Sequence, residues 1–437
     1  MFNKIDKQIL KIALPSIISN ITIPLLGLID IAIVGHMGNV VYIGAVSVGS
    51  MIFNLIYWLF TFLRMGTSGL TSQSLGQRNL SEVTSVLLRS FTIAQGLALA
   101  IILTQQPLRQ LLIFFIAPKA DVMPYVDTYF NIVVWGAPAV LGINSLTGWF
   151  VGMQNTRIPM AVSIIQNVTN IVASLSLVYG LHMKIEGVAT GTVIAQYAGL
   201  LTALFLLRKH YTRLIPYYQR NKVFIKVGIL KFFSINKDIF LRTLCLVFTN
   251  LYFTSTGARL GTVILSANAV IMQLYLLFSY IMDGFAYAGE ALGGRLYGAH
   301  NVRGFRKMVR RLFGWTLVLT AAYTLLYIVG SMDFIKLLTD EEPVLQATRN
   351  YIYWAWVVPA AGAAAFIWDG IFIGTTATKG MLISAFFSTA GFLAICLLTK
   401  PIIGNHGLWL AMIAYLALRG IIQTFIYLKS EKYKFNV

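Results

Sequence analysis

Apolar residues in this chain do not alternate with polar ones. They come in long blocks of roughly 20 residues, each sufficient to carry a helix across about 30 Å of hydrocarbon. Twelve blocks are read, near 9–34, 43–75, 83–106, 125–152, 159–180, 187–207, 238–258, 262–292, 308–330, 343–373, 380–399 and 406–428. Turn chemistry separates them: Gly35-His36-Met37-Gly38, Gly76-Gln77-Arg78-Asn79, Pro118-Lys119, Asn155-Thr156-Arg157-Ile158-Pro159, Gly298-Ala299-His300-Asn301 and Lys400-Pro401. Several blocks exceed the length a perpendicular helix needs, so tilt or extension past the headgroups is expected. The pattern predicts an all-α membrane protein of twelve transmembrane helices.

The pattern also repeats. A gapless shift of 222 positions pairs Gly35 with Gly257, Ala45 with Ala267 and Val48 with Val270. It continues through Leu70/Leu292, Gly76/Gly298, Asn79/Asn301, Arg89/Arg311 and Phe91/Phe313, then Tyr129/Tyr351, Gly152/Gly374 and Thr156/Thr378. A period of half the chain indicates a duplicated unit. Six spans per copy is an even number, so the copies point the same way: two parallel-repeat six-helix bundles, an N-lobe over 1–207 and a C-lobe over 238–437, joined by a linker over 208–237. Paired halves in a membrane imply a site that is exposed alternately by rocking.

Composition sharpens this picture. Hydrophobic residues make up 57% of the 437 and charged residues only 11%, where a soluble chain carries about 25%. Of the 34 Lys and Arg, 24 fall at the N-terminus or in loops on the same side. The positive-inside bias places both termini and the linker in the cytoplasm. The +19 net charge therefore belongs to that rim. It is spread over many short loops with no compact domain behind it, which argues against nucleic-acid binding. The N-terminal stretch reads as the start of the first helix, not as a cleaved signal. Cys245 and Cys396 lie in apolar spans as packing residues, and no metal-ligand cluster or nucleotide-binding loop is present.

Function is sought among polar residues that hydrocarbon rejects. Asp30 lies in the outer half of span 1, where insertion of an aspartate costs roughly 2.5–3.5 kcal/mol. A carboxyl at that depth is a natural proton carrier, and Pro24 on the same helix removes a backbone hydrogen bond nearby, favouring a bend. The rival reading is that Asp30 pairs with Arg64 of span 2 and holds helices together. Tyr129 and Asn144, fifteen apart, are expected on one helix face, as are Asn170 and Ser174, with Thr192 following on span 6. Singly these read as interhelical hydrogen bonds, worth about 0.6 kcal/mol each; together they read as a polar pocket around Asp30. In the second half Asp283 and Asp369 are candidate intramembrane acids for a cation or proton. Glu290 reads as an ion pair with Arg295. Position 252, opposite Asp30 in the repeat, is Tyr252, so the acid is not duplicated.

These residues carry a resemblance. Pro24-Leu-Leu-Gly-Leu-Ile-Asp30 with Val34-Gly35-His36-Met37-Gly38 resembles the first helix of the MATE (multidrug and toxic compound extrusion) family, in its DinF-like branch. Phe62-Leu-Arg64-Met-Gly66-Thr-Ser-Gly69, Asp283-Gly-Phe-Ala, Trp368-Asp369-Gly-Ile-Phe-Ile-Gly374 and Gly180-Leu-His-Met-Lys-Ile-Glu-Gly187 are similar to the same branch. The resemblance implies two lobes about an outward-open cavity, and antiport of cationic or amphipathic compounds against protons or sodium ions. It implies that Asp30 couples by changing the bend of the first helix, that Tyr129, Asn144, Asn170 and Thr192 fall in the N-lobe polar cluster, and that Asp369 matches an acid used by sodium-coupled relatives. Arg64, which either lines the same cavity or snorkels toward a headgroup, and Ser174 are counted with that N-lobe cavity. Members of that branch carry an aspartate one turn after the asparagine matching Asn170; here Ser174 stands there.

The expectation is a multidrug efflux antiporter and not an enzyme. It needs no cofactor beyond the transported H+ or Na+, meets small amphipathic substrates and membrane lipid, works as a monomer and sits in a bacterial inner membrane. The alternative is a lipid-linked oligosaccharide flippase of the same superfamily, disfavoured because only Arg64 is read as a cation at depth.

Overall fold

Hydrocarbon offers backbone groups no hydrogen-bond partners, so a chain with this pattern satisfies them inside helices. The computed structural model describes residues 3–37, 40–116 and 121–430, and among these no strand occurs. Gly38, Pro118-Lys119 and the basic residues Lys432 and Lys434 lie outside the described residues. In chain order the helices are α1 (Lys4–Gly35), α2 (Val40–Leu59), α3 (Phe62–Gly76), α4 (Leu80–Leu103), α5 (Gln105–Ile116), α6 (Met123–Val133), α7 (Ala137–Gly152), α8 (Arg157–Leu175), α9 (Ile185–Tyr211) and α10 (Arg220–Val223). The series continues with α11 (Lys226–Arg259), α12 (Thr262–Gly298), α13 (Val302–Leu338), α14 (Glu342–Tyr351), α15 (Tyr353–Gly374), α16 (Thr378–Ile403) and α17 (Asn405–Lys429). Among the described residues, twelve helical segments are long and apolar enough to cross a membrane. Bulky side chains such as Leu99, Leu103, Val329 and Leu337 are exposed on them, the arrangement a lipid-facing surface requires.

The helices form two units. One comprises Ile18–Phe233; the other comprises Ser234 onward together with the chain up to Ile17. Helix α1 thus contributes its first turns to one unit and the rest to the other. Residues 208–237 are largely helical: α9 runs on to Tyr211, a 3-10 helix covers Thr212–Tyr217, and α11 begins at Lys226.

Each unit contains the same construction 222 residues apart. Helices α3 and α12 both end in a non-glycine residue with left-handed backbone, Arg78 (φ 59°) and His300 (φ 52°). In both, the next residue closes the helix end by donating to the carbonyl five positions back, Asn79 to Ser74 (3.0 Å) and Asn301 to Leu296 (2.9 Å). The same two asparagines then cap the following helix, accepting from the backbone N–H of Glu82 (3.0 Å) and of Gly304 (2.8 Å). The ends of α7 and α15 match likewise, with Gln154 (φ 62°) and Thr376 (φ 50°) in corresponding places.

Backbones cross closely at equivalent points too. A Cβ on Gly148 of α7 would stand 2.2 Å from the carbonyl oxygen of Arg64 on α3. A Cβ on Gly370 of α15 would stand 2.2 Å from that of Ala286 on α12, again 222 positions on. Small residues at such crossings let transmembrane helices approach and gain van der Waals contact.

A third matched feature explains the division of α1. Arg89 on α4 is buried, packs on Gly228 at the start of α11, and donates to the carbonyls of Val223 (2.8 Å) and Lys222 (3.2 Å). Its counterpart Arg311 on α13 reaches Asp6 at the start of α1 (3.6 Å), and Trp315 Nε1 donates to the same carboxylate (3.3 Å). Asp6 is the repeat counterpart of Gly228. In each unit an arginine of its third span therefore holds the entry of a first-span helix that continues into the other unit.

Candidate functional site

Asp30 is the centre of the first-unit site. It is only 1% exposed, and its place on α1 is set by a seam with α8. Ser163 and Ser19 share a hydrogen bond (2.8 Å), and one turn further Asn167 Nδ2 donates to the Thr22 carbonyl (2.9 Å). Asn170 follows one turn further along α8, and Asp30 lies two turns beyond Thr22 on α1. Thr192 of α9 donates from Oγ1 to Asp30 Oδ2 (2.9 Å), and Asn170 Nδ2 lies 3.3 Å from the same Thr192 hydroxyl. Asn170 also reaches the carboxylate. Tyr129 of α6 stands beside Thr192 and Asp30, its hydroxyl 3.3 Å from Ser50 Oγ and its ring against Gly49. Ser174 lies one turn past Asn170, packed on Gly191 of α9.

Several oxygens in this unit have no hydrogen-bond partner among the described residues. Among them are Asp30 Oδ1, Asn170 Oδ1, Ser174 Oγ, Tyr57 Oη and Gln196 Oε1, all buried. Asp30 makes no ion pair among the described residues, and its hydrogen-bond donors are neutral. An anionic carboxylate without a countercharge is costly away from water. A proton on Oδ1 removes that charge and turns an unpartnered acceptor into a donor.

Of the other sequence candidates, Arg64 is buried on α3 but does not pair with Asp30. Asn144 is half-buried on α7 and does not join the Asp30 cluster. The expectation that it shares a face with Tyr129 assumes one unbroken helix, whereas a 3-10 turn, Val134–Gly136, separates α6 from α7. Three residues at about 120° each instead of about 100° rotate the second helix relative to the first. The signal was Pro138 in the first turn of α7, which cannot continue the hydrogen-bond ladder of α6.

In the second unit Asp369 of α15 has two cationic partners. Arg242 of α11 and Arg419 of α17 both donate through Nη2 to Asp369 Oδ2, and Gln423 Nε2 donates to Oδ1. All four residues are buried. Arg64 is thus not the one cation at depth, and the sequence argument that set the flippase aside on that ground does not hold. Tertiary pairing masks these arginines: each is read alone as a residue near a span end, whereas together they neutralise an acid from a third helix. Asp283, half-buried on α12, and Glu290, buried where α12 crosses α15, do not join the trio.

A duplicated twelve-helix membrane fold with a buried acid ringed by hydroxyls and amides is the architecture of a secondary transporter. The comparisons give the family. The MatE family profile matches residues 15–175 and 239–397, one match in each half. The chain is 36% identical to DNA damage-inducible protein F of Escherichia coli (strain K12), over 95% of this chain and 90% of that protein. It is 22% identical to the probable multidrug resistance protein NorM of Thermotoga maritima, covering 98% and 93%. The crystal structure of the Vibrio cholerae MATE transporter VcmN in the bent form shares the fold with a TM-score of 0.86, at 17% identity and covering 98% of this chain and 97% of that one. This chain belongs to the MATE family, in the neighbourhood of DinF, and is a membrane transporter, not an enzyme.

Proposed function

We propose that the protein exports organic compounds, cationic or amphipathic, in exchange for protons, with Asp30 as the coupling group. The observation that carries this reading is a buried carboxylate held only by neutral donors, with one oxygen unpartnered. Such a group changes charge without breaking an ion pair. Protonation removes the charge beside Thr192 and Asn170, loosens their hold on α1, and lets the helix bend near Pro24, where a backbone N–H is missing. The bend narrows the first-unit cavity and releases substrate outward. Family membership and the multidrug-resistance name of the Thermotoga maritima relative support the substrate class. The Escherichia coli relative supports a bacterial inner-membrane location, and the loop-charge bias supports cytoplasmic termini. The internal duplication supports a working monomer.

The test is Asp30→Asn. In an efflux-deficient host, resistance should fall to the level of empty vector while the protein still accumulates in the membrane. In proteoliposomes, dye efflux should follow an imposed pH gradient in the parent protein and vanish in the variant. Full export by the variant, or efflux driven by sodium alone, contradicts proton coupling through Asp30.

A further inference from the structure

The Arg242–Asp369–Arg419 cluster shares no residue with the Asp30 site, and its own charges do not balance. Two guanidinium groups share one carboxylate, so the trio carries one positive charge in excess. Asp369 is fully subscribed, with both arginines on Oδ2 and Gln423 on Oδ1. The arginines are not. Each guanidinium has five N–H donors, and each engages Asp369 through Nη2 alone. Arg242 is 8% exposed, and its Nε is buried with no partner among the described residues.

The groups around the trio add hydrogen-bonding and aromatic surface but no further bond to the arginines. Tyr415 lies one turn from Arg419 on α17, with the guanidinium 5.6 Å from its ring and its own hydroxyl buried and unpartnered. Tyr275 of α12 is beside Arg419. Asp283, two turns further along α12, makes no ion pair with either arginine. From α16, Thr389 stands by Cys245, near Arg242, and shares a hydrogen bond with Thr249 of α11 (3.2 Å).

A buried guanidinium without a full countercharge is unfavourable. A cation arriving at Asp369 would compete with two arginines already in place. A monoanion instead closes the balance, and the planar fork of arginine matches a carboxylate in two parallel hydrogen bonds. We propose that Arg242 and Arg419 form a binding site for the carboxylate of an amphipathic organic anion, with Tyr275 and Tyr415 beside its apolar body. That such an anion is carried across the membrane rests on the transport reading above; that it binds does not.

The experiment uses the full chain in detergent, titrated with 1-naphthoate and followed by fluorescence. Saturable binding is expected, undisplaced by the neutral 1-naphthamide or by 1-naphthylmethylammonium. Arg242→Lys, which keeps the charge and loses the fork, should weaken binding about tenfold. Asp369→Asn, which frees both guanidiniums, should tighten it about tenfold, and naphthoate should raise that variant's melting temperature more than the parent's. Asp30→Asn should bind naphthoate like the parent, so failure of proton coupling and failure of this site are read separately. Absence of saturable binding, equal binding of the amide, or an unchanged affinity in Arg242→Lys overturns the proposal. Displacement by millimolar chloride overturns it too, by assigning the site to a small inorganic anion. If Asp369→Asn does not fold, Arg242→Lys decides alone.

Discussion

Asp30 and Asp369 are the same side chain in the same solvent, and the two units treat them in opposite ways. In the first, a carboxylate has hydroxyl and amide neighbours, no countercharge and one idle oxygen. In the second, a carboxylate has two guanidiniums and a carboxamide, with both oxygens used. A group whose charge is balanced by fixed partners resists titration, because neutralising it strands the partners. A group with neutral partners gains or loses a proton at the expense of hydrogen bonds alone. Burial therefore does not mark a coupling residue; the charge state of its neighbours does. The duplicated scaffold made this divergence possible, since the repeat sets helix crossings and caps while leaving the polar side chains between them free to differ.

Stability measurements break or sharpen the contrast most directly. Asp369→Asn strands two buried guanidiniums and should cost about 3–5 kcal/mol, read as a large fall in melting temperature in detergent without added anion. Removing one of the two stranded charges with Asp369→Asn/Arg242→Gln should recover part of that loss, since Arg419 still lacks its carboxylate. Asp30→Asn removes a charge that had no partner, and the variant should melt within about 1 kcal/mol of the parent while failing to export. If both single variants melt alike, the distinction between a locked and a free carboxyl is wrong.

The repeat predicts equal penalties at its matched crossings. Gly148→Ala and Gly370→Ala each place a methyl against a backbone carbonyl, Arg64 in one unit and Ala286 in the other. Backbone cannot swing aside as a side chain can, so each should cost about 1–3 kcal/mol by overpacking. A large penalty at one and none at the other would mean that the two crossings are alike in outline only.

Much of this was legible in the chain. Hydrocarbon demands long apolar helices, so the spans and their breaks could be read from block length and turn residues. The duplication was visible because Gly76/Gly298, Asn79/Asn301 and Gly152/Gly374 serve backbone geometry, which tolerates few substitutes. Asp30 stood out because an acid in an apolar block has few explanations. Pairings between distant helices were not legible. Arg242, Asp369 and Arg419 are separated by 127 and 50 positions, and no periodicity links them. Only Arg419–Gln423, one turn apart on α17, could have shown that two donors share a face. The 3-10 turn before α7 was not legible from spacing either, and it shifts helical phase between Tyr129 and Asn144, where counting residues assumes an unbroken helix.

The smallest predicted effect tests the repeat at its most local. Asn79 and Asn301 each close one helix by a backbone hydrogen bond and open the next through a side-chain cap. Replacing either with alanine keeps the backbone bond and removes the cap, leaving an orphan N–H at Glu82 or Gly304. Each change should cost about 1 kcal/mol. Because the two caps belong to different units and share no partner, the double variant should lose the sum of the single losses. Glycine at the same positions should cost only a few tenths of a kcal/mol. An alanine penalty matched by glycine would mean that lost side-chain packing, not the cap, sets the stability of these turns.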